Sequence, residues 1–206
     1  MIWRASLALV LLGMTSVPAT AQPGSGGGND RAERRFREYV TCVVRGDPGR
    51  ARALLQTTPE SAEEAELLRR VAVQRRGCLS GGMLRFGGAR MRGLVAEMLY
   101  HSAFPGRPPA GDPGAQVLAS GSPQLLAHDM ARCVVRRDPP SAHLLLDTES
   151  GSAEERAAIA RLGAVMSSCF VPGSTLRVNR PTLRGLLAEA LFNYRGGALN
   201  PAPRGN

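Results

Sequence analysis

Lysine is missing altogether: all 26 basic residues of this 206-residue chain are arginine, set against 17 acids for a formal charge of +9. In a chain also rich in alanine, glycine and proline that pattern is the mark of a coding bias, so the number of arginines is not in itself a sign of a nucleic-acid partner. Aromatic residues amount to 4%, which removes the stacking platform that single-stranded nucleic acid requires. Nucleic acid is therefore disfavoured as a partner. Histidine is scarce, with only His101, His128 and His143, and the chain holds no His-Glu-x-x-His, nucleophile elbow, Walker loop or dinucleotide fingerprint. With none of those motifs, no cofactor and no metal are expected. The glycine-rich stretch from Ser80 to Arg90 lacks the lysine of a phosphate cradle. No Asn-x-Ser/Thr acceptor occurs, which argues against a eukaryotic glycoprotein.

Long apolar runs are also lacking. The longest, Ala5–Met14, falls short of the roughly 20 residues a membrane helix needs. It follows Arg4 and leads to the small-residue exit Ala19–Ala21, the layout of a secretory signal peptide with cleavage before Gln22. No transmembrane segment is expected after that cleavage. Residues 22–29 read as a flexible Gly/Ser tether. A bacterial periplasmic or secreted protein is expected.

What the chain does have is a repeat. Cys42–Pro48, CVVRGDP, returns at Cys133–Pro139 as CVVRRDP, and a constant shift of 91 matches 16 of the 37 positions from 42 to 78. After one insertion near Gly173 a shift of 92 matches 8 of the 16 positions from 84 to 99, pairing RGLVAEML at Arg92–Leu99 with RGLLAEAL at Arg184–Leu191. The unit, of about 75 residues, is too long for the common solenoid periods, which favours a pseudo-symmetric pair.

Each copy carries two cysteines 36 positions apart, so a bridge inherited from one ancestral unit predicts Cys42–Cys78 and Cys133–Cys169. No Cys-x-x-Cys or other zinc-like spacing competes with that assignment. Asp47 and Asp138, each followed by proline, read as helix caps. Ser61 with Glu64, and Ser152 with Glu155, read as capping boxes. Phe36, Tyr39, Val40, Val43 and Val44 form one apolar stripe of a first helix from about Asp30 to Arg45. The last helix of each copy is expected over Ala89–Ser102 and Pro181–Tyr194, where the matched Gly93 and Gly185 point to a close helix approach. Met83–Phe86 and Thr175–Val178 alternate in polarity and read as short strands.

The expected fold is therefore all-α: a duplicated four-helix unit with one short strand per repeat, the two strands pairing as a sheet on a pseudo-twofold axis. The organisation reads as signal peptide 1–21, tether 22–29, repeat 30–104, Pro/Gly linker 105–121, repeat 122–197 and a disordered tail 198–206. One composite core is favoured over two separate beads, because units this small bury little alone.

Two constellations bear on function. Leu67–Ala96 holds seven arginines and no acid, and Arg156–Ala188 holds five and no acid. Within them Arg85, Arg92, Arg177 and Arg184 recur at matched positions and are the candidate contacts for an anionic envelope lipid or glycan. The matched acids Glu97 and Glu189 read as surface residues, as ion-pair partners of the matched Arg92 and Arg184 on the opposite helix, or as a proton-sharing pair able to catalyse hydrolysis. The function expected is that of an exported, non-enzymatic binding or envelope-structural protein, with a hydrolase using Glu97 and Glu189 as the alternative.

Overall fold

The computed structural model describes residues 26–74, 76–79, 85–116, 119–170, 173 and 175–196. The expected signal peptide, the first part of the tether, the tail 198–206 and residues 83–84 of the first expected strand lie outside the described residues. Each repeat supplies four helices: α1 Gly26–Gly46, α2 Pro48–Gln56, α3 Ala62–Gln74 and α4 Gly88–Ala103, then α5 Leu126–Arg137, α6 Pro139–Leu146, α7 Ala153–Ser167 and α8 Arg180–Arg195. α1 begins earlier than the Asp30 expected, taking in Gly26–Asn29 of the tether.

The punctuation follows from the capping chemistry. Asp47 Oδ1 accepts from Arg50 N at 2.9 Å and Asp138 Oδ1 from Ser141 N at 3.1 Å, each ahead of a helix opened by proline. Ser61 Oγ accepts from Glu64 N at 3.1 Å and Ser152 Oγ from Glu155 N at 3.0 Å. Both glutamates reach back to the residue before the cap, to Glu60 N at 2.6 Å and Gly151 N at 2.8 Å. These bonds satisfy helix N-termini that would otherwise keep unpaired N–H groups. Glu60 and Gly151 are repeat-equivalent, and both have positive φ, 64° and 88°. The glycine adopts that conformation without penalty; the glutamate does not.

α4 and α8 form the centre. α4 is buried at nearly every position from Met91 to Tyr100, and α8 at every position from Leu183 to Leu191, as befits helices covered on all sides. α1, α2 and α3 pack on α4, α5 and α6 pack on α8, and α4 packs on α8. One core runs through both repeats, with Tyr39, Val40, Val43, Val44, Leu54 and Leu55 matched by Met130, Ala131, Val134, Val135, Leu145 and Leu146. Each repeat is stapled within itself: Cys42 bonds Cys78 and Cys133 bonds Cys169, each with Cα atoms 5.7 Å apart. Linker residue Asp112 donates its N–H to Arg136 O at 2.9 Å, tying the connection to the end of α5.

The expected sheet is not there. Among the described residues there is no strand, and residues 85–87 and 175–179 are irregular. The alternation that suggested strands has another physical cause, since these segments insert apolar side chains into the core. Phe86 stacks on Phe36 with centroids 4.7 Å apart and lies 6.0 Å from Tyr39, while Leu176 and Val178 pack against the core edge. The pseudo-axis itself is taken by the α4–α8 crossing.

Candidate functional site

The site grows from Gly93 and Gly185. A Cβ built on either would lie 2.7 Å from the other's Cα, so the two backbones touch where no side chain fits. That approach carries the flanking residues of each helix onto the other. Arg92 of α4 grips Glu189 of α8, Nε to Oε2 at 2.8 Å and Nη2 to Oε1 at 2.7 Å. Arg184 of α8 grips Glu97 of α4 in the same way, at 3.1 and 3.0 Å. These are bidentate, charge-assisted pairs, and all four residues are at most 7% exposed.

Each guanidinium also closes the end of its own repeat's second helix. Arg92 donates to Leu54 O, Leu55 O and Thr57 O at 2.8, 3.1 and 3.0 Å, and to Glu64 Oε1 at 3.1 Å. Arg184 donates to Leu145 O, Leu146 O and Thr148 O at 2.8, 2.7 and 3.0 Å, and to Glu155 Oε1 at 3.3 Å. The carbonyls at a helix C-terminus lack internal donors and form the negative end of the helix dipole, so a buried cation is held there on several sides. Burial opposes the ionisation of Glu97, but its bonds to Arg184 and the charges of Arg184 and Arg37 outweigh that and hold its pKa below the usual carboxylate range. Burial likewise opposes the charge of Arg92, and Glu189 and Glu64 overcome it.

Of the residues singled out in the sequence, Glu97 and Glu189 are thus brought to the crossing, each bonded to an arginine of the other helix rather than placed to share a proton. Arg92 and Arg184, at 2% and 3% exposure, belong to this buried network and offer no surface to a polyanion. Arg85 and Arg177 are exposed, on the irregular segments that lead into α4 and α8. The four cysteines are all consumed in the two bridges.

The two halves differ at one point that the sequence comparison passed over. Arg37, on α1, donates Nη1 to Glu97 Oε1 at 2.9 Å. Its repeat equivalent is His128, whose Nδ1 stands 3.8 Å from Glu189 Oε2, and beside that carboxylate is a cavity of about 150 Å³ reached by Arg92, His128, Arg132 and Glu189. The non-matching histidines were the only sequence signal for it. A second missed feature is a line of polar groups from the core outward: Tyr100 Oη lies 2.9 Å from His143 Nδ1, and His143 Nε2 lies 3.2 Å from Asp147 Oδ2. Tyr100 is fully buried, so this line satisfies a hydroxyl inside the core. Among the described residues no cluster of His, Cys, Asp and Glu is arranged to hold a metal.

No protein-family model, curated protein or solved structure matches this chain.

Proposed function

We propose that the protein is a non-enzymatic binding or structural component of the bacterial envelope, exported to the periplasm or beyond. The observation that carries this reading is the reciprocal pairing of Arg92 with Glu189 and of Arg184 with Glu97. Glu97, whose pKa is lowered by its bonds to Arg184, is the opposite of the raised-pKa acid that a proton-sharing hydrolase needs. The groups best suited to chemistry at the axis are engaged in joining two halves. Two intra-repeat disulfides suit an oxidising compartment, and among the described residues no helix is long and apolar enough to cross a membrane.

In this reading the surface contact is made by exposed arginines, Arg85 and Arg177 foremost, with anionic lipid or glycan as the partner. Retention on immobilised lipopolysaccharide tests it. The expected result is release over a narrow rise from low to moderate salt, because counterion release governs such binding, with the double variant Arg85→Gln/Arg177→Gln released earlier. Retention that ignores both salt and the double substitution would overturn the polyanion contact.

A further inference from the structure

We propose that the cavity beside Glu189 binds the guanidinium or ammonium head of a small alkyl cation, which takes there the place that Arg37 takes beside Glu97. The inference is separate from the polyanion contact, since it concerns a buried carboxylate and not the exposed arginines.

The argument is one of charge and equivalence. In the half built around Glu97, two cations, Arg184 and Arg37, face two buried carboxylates, Glu97 and Glu155. In the other half, Arg92 alone faces Glu189 and Glu64. The remaining cation on the cavity wall, Arg132, is bonded to Asp129, whose other carboxylate oxygen accepts from Ser120. His128 does not make up the difference: its nitrogen is beyond hydrogen-bond reach of Glu189. Burial, with Arg92 and Arg132 adding to it against the pull of Glu189 and Glu64, keeps its pKa below the ordinary histidine value. One half is neutral at its centre and the other is short of one positive charge. An uncompensated charge in a poorly solvated site is costly, and a cation that enters relieves it.

Shape agrees with charge. Histidine is shorter than the arginine that the other repeat has at this place, and a space of about 150 Å³ lies against His128 and Glu189. Ligand pockets for whole drug-sized molecules run from roughly 300 Å³ upward, so this one suits a head group with a short stem. Leu55, Leu125 and Leu186 supply apolar lining for that stem, and Asn193 adds an amide to the lining.

The test uses the full chain at neutral pH, with methylguanidinium as the probe, methylurea as its uncharged isostere, and N-acetylarginine amide to ask whether a peptide's arginine enters as well as a free molecule. The expected result is a saturable, one-to-one displacement of the His128 ring resonances by methylguanidinium and none by methylurea. Displacement by the arginine derivative at similar concentration would make a polypeptide side chain an admissible source of the head group, and its exclusion would restrict the site to free molecules. His128→Arg, which puts an arginine where the other repeat has Arg37, should weaken methylguanidinium binding at least tenfold and raise the melting temperature. Binding and stoichiometry in this variant and in Arg37→His are read by titration calorimetry, because His128→Arg has lost the reporting ring. A variant that keeps its binding or melts below the parent overturns the proposal, as does equal response to methylurea. Arg37→His supplies the reciprocal arm: it should add a second equivalent of bound probe, and a stoichiometry that stays at one would contradict the equivalence on which the site rests.

Discussion

Gly93 and Gly185 touch backbone to backbone, and a methyl group on either would stand 2.7 Å from the other's Cα. Side-chain clashes are relieved by rotation, but this one is with main chain and requires the helices to part. Parting them lengthens both bidentate pairs at once.

Gly93→Ala and Gly185→Ala should therefore each destabilise the protein by about 1–3 kcal/mol, the usual cost of overpacking, in spite of the roughly 1 kcal/mol that alanine gains in helix propensity. Gly163, inside α7, has nothing within 4 Å of a built Cβ. Gly163→Ala should stabilise by up to about 1 kcal/mol. Urea unfolding of the three variants measures the contrast; equal effects at Gly93 and Gly163 would show that the crossing tolerates separation.

Arg92 and Arg184 are not replaceable by lysine. A lysine has three donors and no planar fork, whereas Arg92 serves Glu189, Glu64 and three carbonyls at the end of α2. Arg92→Lys should cost about 3 kcal/mol, near the lower end of the range for breaking a buried pair. The double change Glu97→Gln/Glu189→Gln should also lose stability, since it removes the bidentate carboxylate from each buried guanidinium and leaves Arg92 only Glu64 and Arg184 only Glu155. A double variant more stable than the parent would bring back the proton-sharing hydrolase.

Stability should fall in two stages on acidification. The pKa values of His128 and His143 are both lowered, chiefly by burial, so their folded values lie beneath the unfolded value of about 6.5. The unfolded state binds more protons in that window, and the stability they contribute is whole above about pH 6.5 and lost as pH falls through their folded values. For His128 the facing charges are Glu189, Arg92, Arg132 and Glu64; for His143 they are Asp147, His101, Arg195 and Arg107. Glu97, also lowered, contributes above its unfolded value of about 4.3 and is lost below that as pH falls through its folded value. Urea midpoints from pH 8 to pH 3 should show both stages, with Glu97→Gln flattening the lower one and His128→Gln the upper one only. An upper stage unmoved by His128→Gln would contradict the burial of that ring.

Much of this was legible because duplication turns one sequence into two witnesses. It selected the pairings Cys42–Cys78 and Cys133–Cys169 out of the possible ones, and it exposed the caps at Asp47, Asp138, Ser61 and Ser152, whose chemistry is local and so can be read locally. The helix approach at Gly93 and Gly185 was visible for the same reason, a costly residue kept twice at one helical position. What depends on three-dimensional partners was not legible. Alternation in Phe86 and Val178 fits a strand and an irregular segment plugging a core equally well, and only the presence of Phe36 opposite Phe86 separates them. Arg92, inside an acid-free window, reads both as surface and as the ion-pair partner of a matched acid on the opposite helix, and only the approach of Glu189, 97 positions away, decides between the two. The cavity beside His128 lay hidden in a mismatch between the copies, where attention to identities does not look.

The seam at the crossing has the same residues on both of its sides, an arginine one position before the contact glycine and a glutamate four after it. In symmetry terms that is an isologous interface, the contact of a homodimer, here closed within one polypeptide. A true homodimer cannot change one of its two equivalent positions alone: a substitution at the place of Arg37 would appear in both protomers and strip the second cation from both carboxylates. Covalent joining through residues 105–121 lifts that constraint. One half can keep its guanidinium and hold the assembly together while the other gives it up, so the stability of the symmetric seam and the opening beside Glu189 no longer compete for the same residue.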